Sequence, residues 1–283
     1  MLRLTNETMK RLLWSLSLVA VLAACDGKKE AAPPVEPAVV RDTLETVADT
    51  LEPETEEVAP PKSADELFDD FIYGFMTNRR FQKSRVHFPL PFDAGGHRRM
   101  LTAAEWRFNP LFAEHETYTV IFSREEDMQM PKSTAVDSVV LEWCELSQGR
   151  VRSYFFERGK AGWMLMAVGE TPLAANENGD FLAFYQRFAT DSLYQRSHVA
   201  DPVEFRTYDS ETFEEISGVV DVDQWFAFRP DLPRDVITNL RYGQPYAGSD
   251  CRIVVINGLS SSLSCNLTFK RWGKTWRLVA FQN

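Results

Sequence analysis

The 283-residue sequence has no Gly-x-Gly-x-x-Gly, His-Glu-x-x-His, Cys-x-x-Cys or Gly-x-Ser-x-Gly run. It therefore lacks the local signatures of dinucleotide binding, zinc-dependent hydrolysis, dithiol redox chemistry and a serine nucleophile elbow. Gly273-Lys274-Thr275 imitates the tail of a phosphate-binding loop, but Thr268 stands where that loop needs glycine. Histidine is scarce, and His87, His97, His115 and His198 show no ligand spacing, so neither a metal nor a cofactor is expected. A long hydrophobic run is also missing. The 13 residues Leu12–Ala24 fall short of the roughly 20 that span a bilayer as a helix. Basic residues are outnumbered 31 to 41, a net charge of −10, which disfavours a nucleic-acid partner.

What the first 62 residues hold is a targeting pattern. Lys10 and Arg11 precede the apolar run, and Leu22-Ala23-Ala24-Cys25 resembles a bacterial lipobox. The resemblance implies a signal peptide over 1–24, lipidation of Cys25, and a membrane as partner through that lipid. From Asp26 to Lys62 there is no aromatic residue, ten acidic residues face four basic ones, and six of the fifteen prolines occur. Such a stretch cannot bury enough apolar surface to offset its ordering entropy. Residues 25–62 are thus expected to be a disordered acidic tether.

The remainder is a duplication. Residues 66–92 and 179–205 align without a gap at an offset of 113, as in Phe68/Phe181, Phe71/Phe184, Phe75/Phe188, Gln82/Gln195, Ser84/Ser197 and Pro89/Pro202. Nine of those 27 positions are identical, where average composition gives about two. The offset returns at Phe156/Phe269, Arg158/Arg271, Trp163/Trp276, Leu165/Leu278 and Ala167/Ala280. Two units follow, 63–172 and 173–283. In each, apolar residues at helical spacing come first, with Ser63 and Glu66 forming a capping-box pattern and a stop near Thr77-Asn78. A shorter helix is predicted over 102–108, around Trp106. Alternating strands follow over 118–123, 138–146, 151–158 and 163–168, and again over 237–242, 252–256, 263–270 and 275–282. Helices first and an antiparallel meander after is the α+β pattern, with Asn257-Gly258 as a hairpin turn and each unit folding separately.

An N-terminal amphipathic helix followed by a bent antiparallel sheet resembles the cone-shaped nuclear transport factor 2-like fold. The Phe-Gln-x-Ser-Arg-x-x-Phe-Pro-Leu run, Phe81 to Leu90, resembles that of a family of uncharacterised Gram-negative envelope lipoproteins with this fold. The resemblance implies two tandem cones and a lipid-anchored protein of the cell envelope, at the outer membrane on its periplasmic face or at the cell surface, and it supplies no activity.

For a ligand site, the first copy is favoured, because it keeps the fuller motif and carries a longer loop over Arg124–Ala135. Gln82, Ser84 and Arg85 are the candidate polar contacts at its mouth, with Trp106 as an apolar wall and an anionic ligand the natural match for arginine. The competing reading has Gln82 and Ser84 bonding backbone where a helix meets a strand. The tryptophans are expected to bury their rings and hydrogen-bond their indole nitrogens. Cys251 and Cys265 are equidistant from Gly258, which allows a disulfide across an odd-length loop, while Cys144 reads as a small buried apolar residue. The expected role is non-catalytic binding of a small molecule, glycan or protein. The alternatives are an isomerase- or hydrolase-type acid–base site inside one cone, and a structural spacer.

Overall fold

Phe68, Phe71, Ile72, Phe75 and Met76 recur at helical spacing, and all five are buried along one face of α1 (Phe68–Thr77). The computed structural model describes residues 66–283 apart from 210 and 213. The expected signal peptide, the expected lipidation site Cys25, the expected tether and Ser63 lie outside the described residues. Glu66 precedes the helix, whose first turn has no side-chain cap but carries Asp69 and Asp70, acidic residues that suit the positive end of a helix. α1 stops at Asn78. Its Oδ1 accepts from the amides of Arg80 and Phe81, both at 3.0 Å, and so starts α2 (Arg79–Ser84). The second copy repeats the device, with Asp191 between α3 (Gly179–Thr190) and α4 (Ser192–Ser197) accepting from Leu193 and Tyr194.

The first copy adds β1 (Leu90–Ala94), β2 (His97–Leu101), β3 (Thr117–Phe122), β4 (Ser138–Glu145), β5 (Arg150–Gly159) and β6 (Gly162–Pro172). The second adds β7 (Val199–Tyr208), β8 (Glu215–Val220), α5 (Val222–Phe228), β9 (Val236–Arg241), β10 (Cys251–Gly258), β11 (Ser264–Trp272) and β12 (Thr275–Gln282). Packing of helix on sheet is the same twice. Phe156 on β5 meets the rings of Phe68, Phe71 and Phe75 at 5.2, 5.8 and 5.2 Å. Its counterpart Phe269 on β11 meets Phe181, Phe184 and Phe188 at 5.4, 5.9 and 5.2 Å.

Each sheet, however, is completed by the other copy. The strand orders are β2-β1-β6-β5-β4-β9 and β3-β10-β11-β12-β7-β8. β3 has left its own copy to pair with β10, and β9 pairs with β4. The exchange is symmetric to the residue: Leu141 faces Leu240 in one ladder and Val254 faces Ile121 in the other. Where β3 passes β9, the amide of Thr119 donates to Thr238 Oγ1 at 2.7 Å and that hydroxyl donates back to Thr119 O at 2.9 Å. Both faces of the exchanged strands are consequently buried. Ile121 joins the second copy's core, while Leu240, Ile253 and Val255 join the first copy's.

Several expectations are corrected by this architecture. The copies do not fold as separate units, because the described residues from 66 to 283 fall in one compact unit whose sheets share strands. The sheets are mixed: β1 runs parallel to β6, and β7 parallel to β12. Residues 102–108 form only a single turn: Thr102 N and Oγ1 both donate to the Glu105 carboxylate at 2.8 and 2.7 Å, so the hydroxyl is turned to the carboxylate and not to the Glu105 amide that a helix cap would bind. In the second copy the equivalent stretch is α5, started by an Asp221/Gln224 capping box. Asn257-Gly258 is not a tight turn, since Asn257 still pairs with Ser264. That register puts Cys251 opposite Lys270 and Cys265 opposite Ile256, so the two cysteines are far apart along the ladder and remain free thiols. Trp163 and Trp225 bury their rings as expected, but their indole nitrogens have no hydrogen-bond acceptor.

Candidate functional site

The four residues proposed from sequence do not converge. Gln82 is fully buried, and its Nε2 donates to Phe75 O at 2.9 Å and Asn109 O at 2.7 Å while Oε1 accepts from Asn109 N at 2.9 Å. It staples the end of α1 to the segment after Trp106. Gln195 does the corresponding work, donating to Phe188 O at 3.0 Å and accepting from Arg229. Ser84 and Ser197 donate to the carbonyls of Phe81 and Tyr194. Arg85 donates to Ala161 O on the β5–β6 turn and lies over the Phe81 ring. Of the set, Trp106 borders a cleft.

That cleft, of about 360 Å³, sits within the size range of small-molecule sites, about 300–1,000 Å³. Its floor is Arg152 and Tyr154 on β5 and Val168 on β6. The β1–β2 hairpin supplies Phe92, Arg99 and Leu101, and the segment closed by Glu105 supplies Trp106, Arg107 and Asn109. β5 delivers the two polar floor residues because 152, 154 and 156 share one face of a strand, the face on which Phe156 meets α1. Gln82 fixes the backbone of Asn109, and Asn109 Nδ2 in turn donates to Tyr154 Oη at 2.8 Å. Arg152 Nε donates to Glu170 Oε1 at 2.7 Å. Burial, only partly offset by Arg152 and Asn109, pushes the Tyr154 hydroxyl above its usual range, so it stays protonated. It accepts from Asn109, leaving its own hydrogen to be donated.

The two carboxylates near the cleft are already committed. Hydrogen bonds from the backbone and side chain of Thr102 hold Glu105 below the usual carboxylate range, and Glu170 is bridged to Arg152. What remains on offer is donors: the Tyr154 hydroxyl and the exposed guanidiniums of Arg99 and Arg107. Arg99 also covers the Phe92 ring at 4.7 Å.

The equivalent floor in the second copy is apolar. At the 113-residue offset, Arg152, Tyr154 and Val168 become Cys265, Leu267 and Phe281. All three replacements are buried in the core. The Phe281 ring lies 5.0 Å from Trp225 and 4.8 Å from Phe205, filling the space that Val168 leaves open. Sequence reasoning followed identities between the copies and missed Arg152, Tyr154, Asn109 and Arg99. The signal lay in the differences, where a polar residue in one copy faces an apolar one in the other at an inward position.

Helices carried on mixed sheets, with a cleft between sheet and hairpin, define a mixed α+β protein of the nuclear transport factor 2-like kind. A crystal structure of an NTF2-like protein from Bacteroides fragilis NCTC 9343 is 38% identical, with a TM-score of 0.74, covering 79% of this chain and 98% of that one. Residues 47–283 match the family described as Domain of unknown function (DUF4348), and the chain belongs to it. A protein of unknown function of the DUF3225 family from Pectobacterium atrosepticum SCRI1043 is 16% identical, covers 39% of this chain and 88% of that one, and has a TM-score of 0.22, too low to inform the comparison. None of the curated proteins matches.

Proposed function

We propose that this chain is a lipid-anchored envelope protein, held by Cys25, in which two interlocked cones carry one ligand cleft. The first copy's cleft binds a small anionic molecule without catalysis, and the second copy is filled scaffold. The observation that carries this reading is the cleft bordered by Arg152, Tyr154 and Val168, polar at two positions where the second copy has the apolar Cys265 and Leu267, with Phe281 in place of Val168. A carboxylate or phosphate ester would accept from Tyr154, Arg99 and Arg107, with its apolar part against Trp106 and Phe92. The non-catalytic reading is favoured because neither Glu105 nor Glu170 is available as a base; one is tied to Thr102 and the other to Arg152.

The test is thermal unfolding with a panel of small carboxylates and phosphate esters, on wild type and Val168→Phe. A ligand at 100 times its dissociation constant should add about 2.7 kcal/mol to the wild type. Val168→Phe copies the filled cone, so it should unfold cooperatively and lose that response. Absence of any stabilising ligand, or an equal response in the variant, refutes the cleft as a binding site.

A further inference from the structure

A second concavity, of about 720 Å³, lies on the outer face of the sheet that α3 and α4 cover from within. Ladder register defines its floor. One row runs Ile253, Thr268, Ala280, Glu204, and the next runs Asn266, Gln282, Arg206, across β10, β11, β12 and β7. Asn266, Thr268, Lys270 and Trp272 alternate along β11 and so share this face. Trp272, 54% exposed, stands at one end. The wall comes from the other copy: because β3 pairs with β10, the segment after it brings Arg124, Glu125, Met128 and Gln129 over this sheet.

Strand exchange thus builds the groove from both halves, and builds it once. On the first copy's sheet, Phe155, Gly159 and Gly169 stand where Thr268, Trp272 and Gln282 stand here. The connection that would form the matching wall, residues 242–250, is six residues shorter than 123–137 (15 − 9).

The chemistry of the groove selects its occupant. Arg124 is bridged to Asp127 at 2.9 Å, and the remaining lining charges, Arg206 and Lys270 against Glu125 and Glu204, cancel. Asn266 Nδ2 donates to Gln282 Oε1 at 3.2 Å, while Asn266 Oδ1 is buried with no partner, a condition that native structures normally satisfy. From Asn266 to Trp272 the floor extends roughly 20 Å at strand rise. An extended peptide has no edge to add to, because β11 and β12 are interior strands whose neighbours occupy both sides.

We propose that this groove binds a neutral oligosaccharide. One sugar ring lies against the face of Trp272, and hydroxyls along the chain exchange hydrogen bonds with Thr268 and Gln282. The site is separate from the first-copy cleft.

The test is isothermal titration of the full chain with maltohexaose, cellohexaose, xylohexaose, mannohexaose and chitohexaose, on wild type, Trp272→Ala, Thr268→Arg and Val168→Phe. At least one hexaose should bind the wild type. Trp272→Ala should weaken it tenfold or more, Thr268→Arg should abolish it by filling the floor, and Val168→Phe should leave it unchanged. Circular dichroism of the two surface variants should match wild type. The proposal is overturned if no hexaose binds, if both groove variants bind as wild type does, or if Val168→Phe removes binding.

Discussion

Replacing Glu142 by alanine should destabilise the protein by about 3–5 kcal/mol and still leave a single unfolding transition. Glu142 lies on β4 beside the exchanged strand β9 and is 3% exposed. Its Oε1 accepts from Asn176 Nδ2 at 2.8 Å and Arg241 Nη1 at 3.4 Å, and its Oε2 from Asn239 Nδ2 at 2.8 Å. Hydrogen bonds to a charged acceptor contribute about 1.5–3 kcal/mol each. Two short ones, to Asn176 and Asn239, therefore account for most of the loss. The longer contact to Arg241 adds little, because that side chain keeps Glu177 at 2.9 Å and is partly solvated. Asn239 retains Tyr246 Oη at 3.1 Å, which holds the cost to the lower part of the two-bond sum. For a unit of about 220 residues, from 66 to 283, each kcal/mol moves the melting temperature by about 2–4 °C, so the variant should melt about 6–20 °C lower. Scanning calorimetry is the assay. Independent halves would give two transitions, with only the half containing Glu142 shifted, whereas shared strands tie both to one. A split endotherm, or a shift under about 2 °C, would refute the interlock argument.

Two further outcomes follow from burial. Cys144 and Cys265 are buried, and burial pushes the Cys265 thiol up to about 12; at pH 8 an aromatic disulfide reagent should modify half-buried Cys251 first, Cys251→Ser should remove that phase, and recovery of a Cys251–Cys265 cross-linked peptide would contradict the observed register. Burial likewise raises Tyr118, Tyr154, Tyr185, Tyr242 and Tyr246. The folded chain holds these protons where an unfolded one, with tyrosines near 10, releases them. The stability they confer is therefore complete below pH 10 and declines as pH rises above it. Absorbance at 295 nm should show these five ionising together with loss of circular dichroism; their titration while the fold persists would show the burial argument to be wrong.

Much of this was legible in residue pattern. Phe68 to Met76 and their second-copy equivalents specify helices because an amphipathic period of 3.6 has one reading, and most strand positions in 118–168 and 237–282 were set by alternation. The exchange was not legible, because pairing partners are long-range and both candidate ladders have the same register. Leu141 could face Ile121 as well as Leu240 on pattern alone. One trace of it was present. Val254, Val255 and Ile256 form a continuous apolar run, as expected of a strand buried on both faces, and the exchange is what covers the second face. The helix expected over 102–108 stops at one turn because the Thr102 hydroxyl donates to the Glu105 carboxylate, whereas Asp221 in the second copy accepts from the Gln224 amide and completes the cap. Gln82 and Ser84 repeat in both copies because the helix end they bond is repeated, so their recurrence reported on packing and not on a ligand.

The interlock also explains how the copies could diverge. Placing the Arg152 guanidinium and the Tyr154 hydroxyl beside a cleft puts polar groups where the second copy packs Cys265 and Leu267, and lost apolar contact of that kind costs stability. In two independent domains the first would bear this alone. Here Leu240, Tyr242, Ile253 and Val255 of the second copy are packed into the first copy's core, so unfolding the first half must also break the second. The second copy meanwhile replaces the polar floor by Cys265, Leu267 and Phe281 and closes around Trp225. Its gain in packing is transmitted through β3 and β9 to the half that keeps the cleft. A duplicated fold with exchanged strands can thereby hold a costly site in one copy and its compensation in the other.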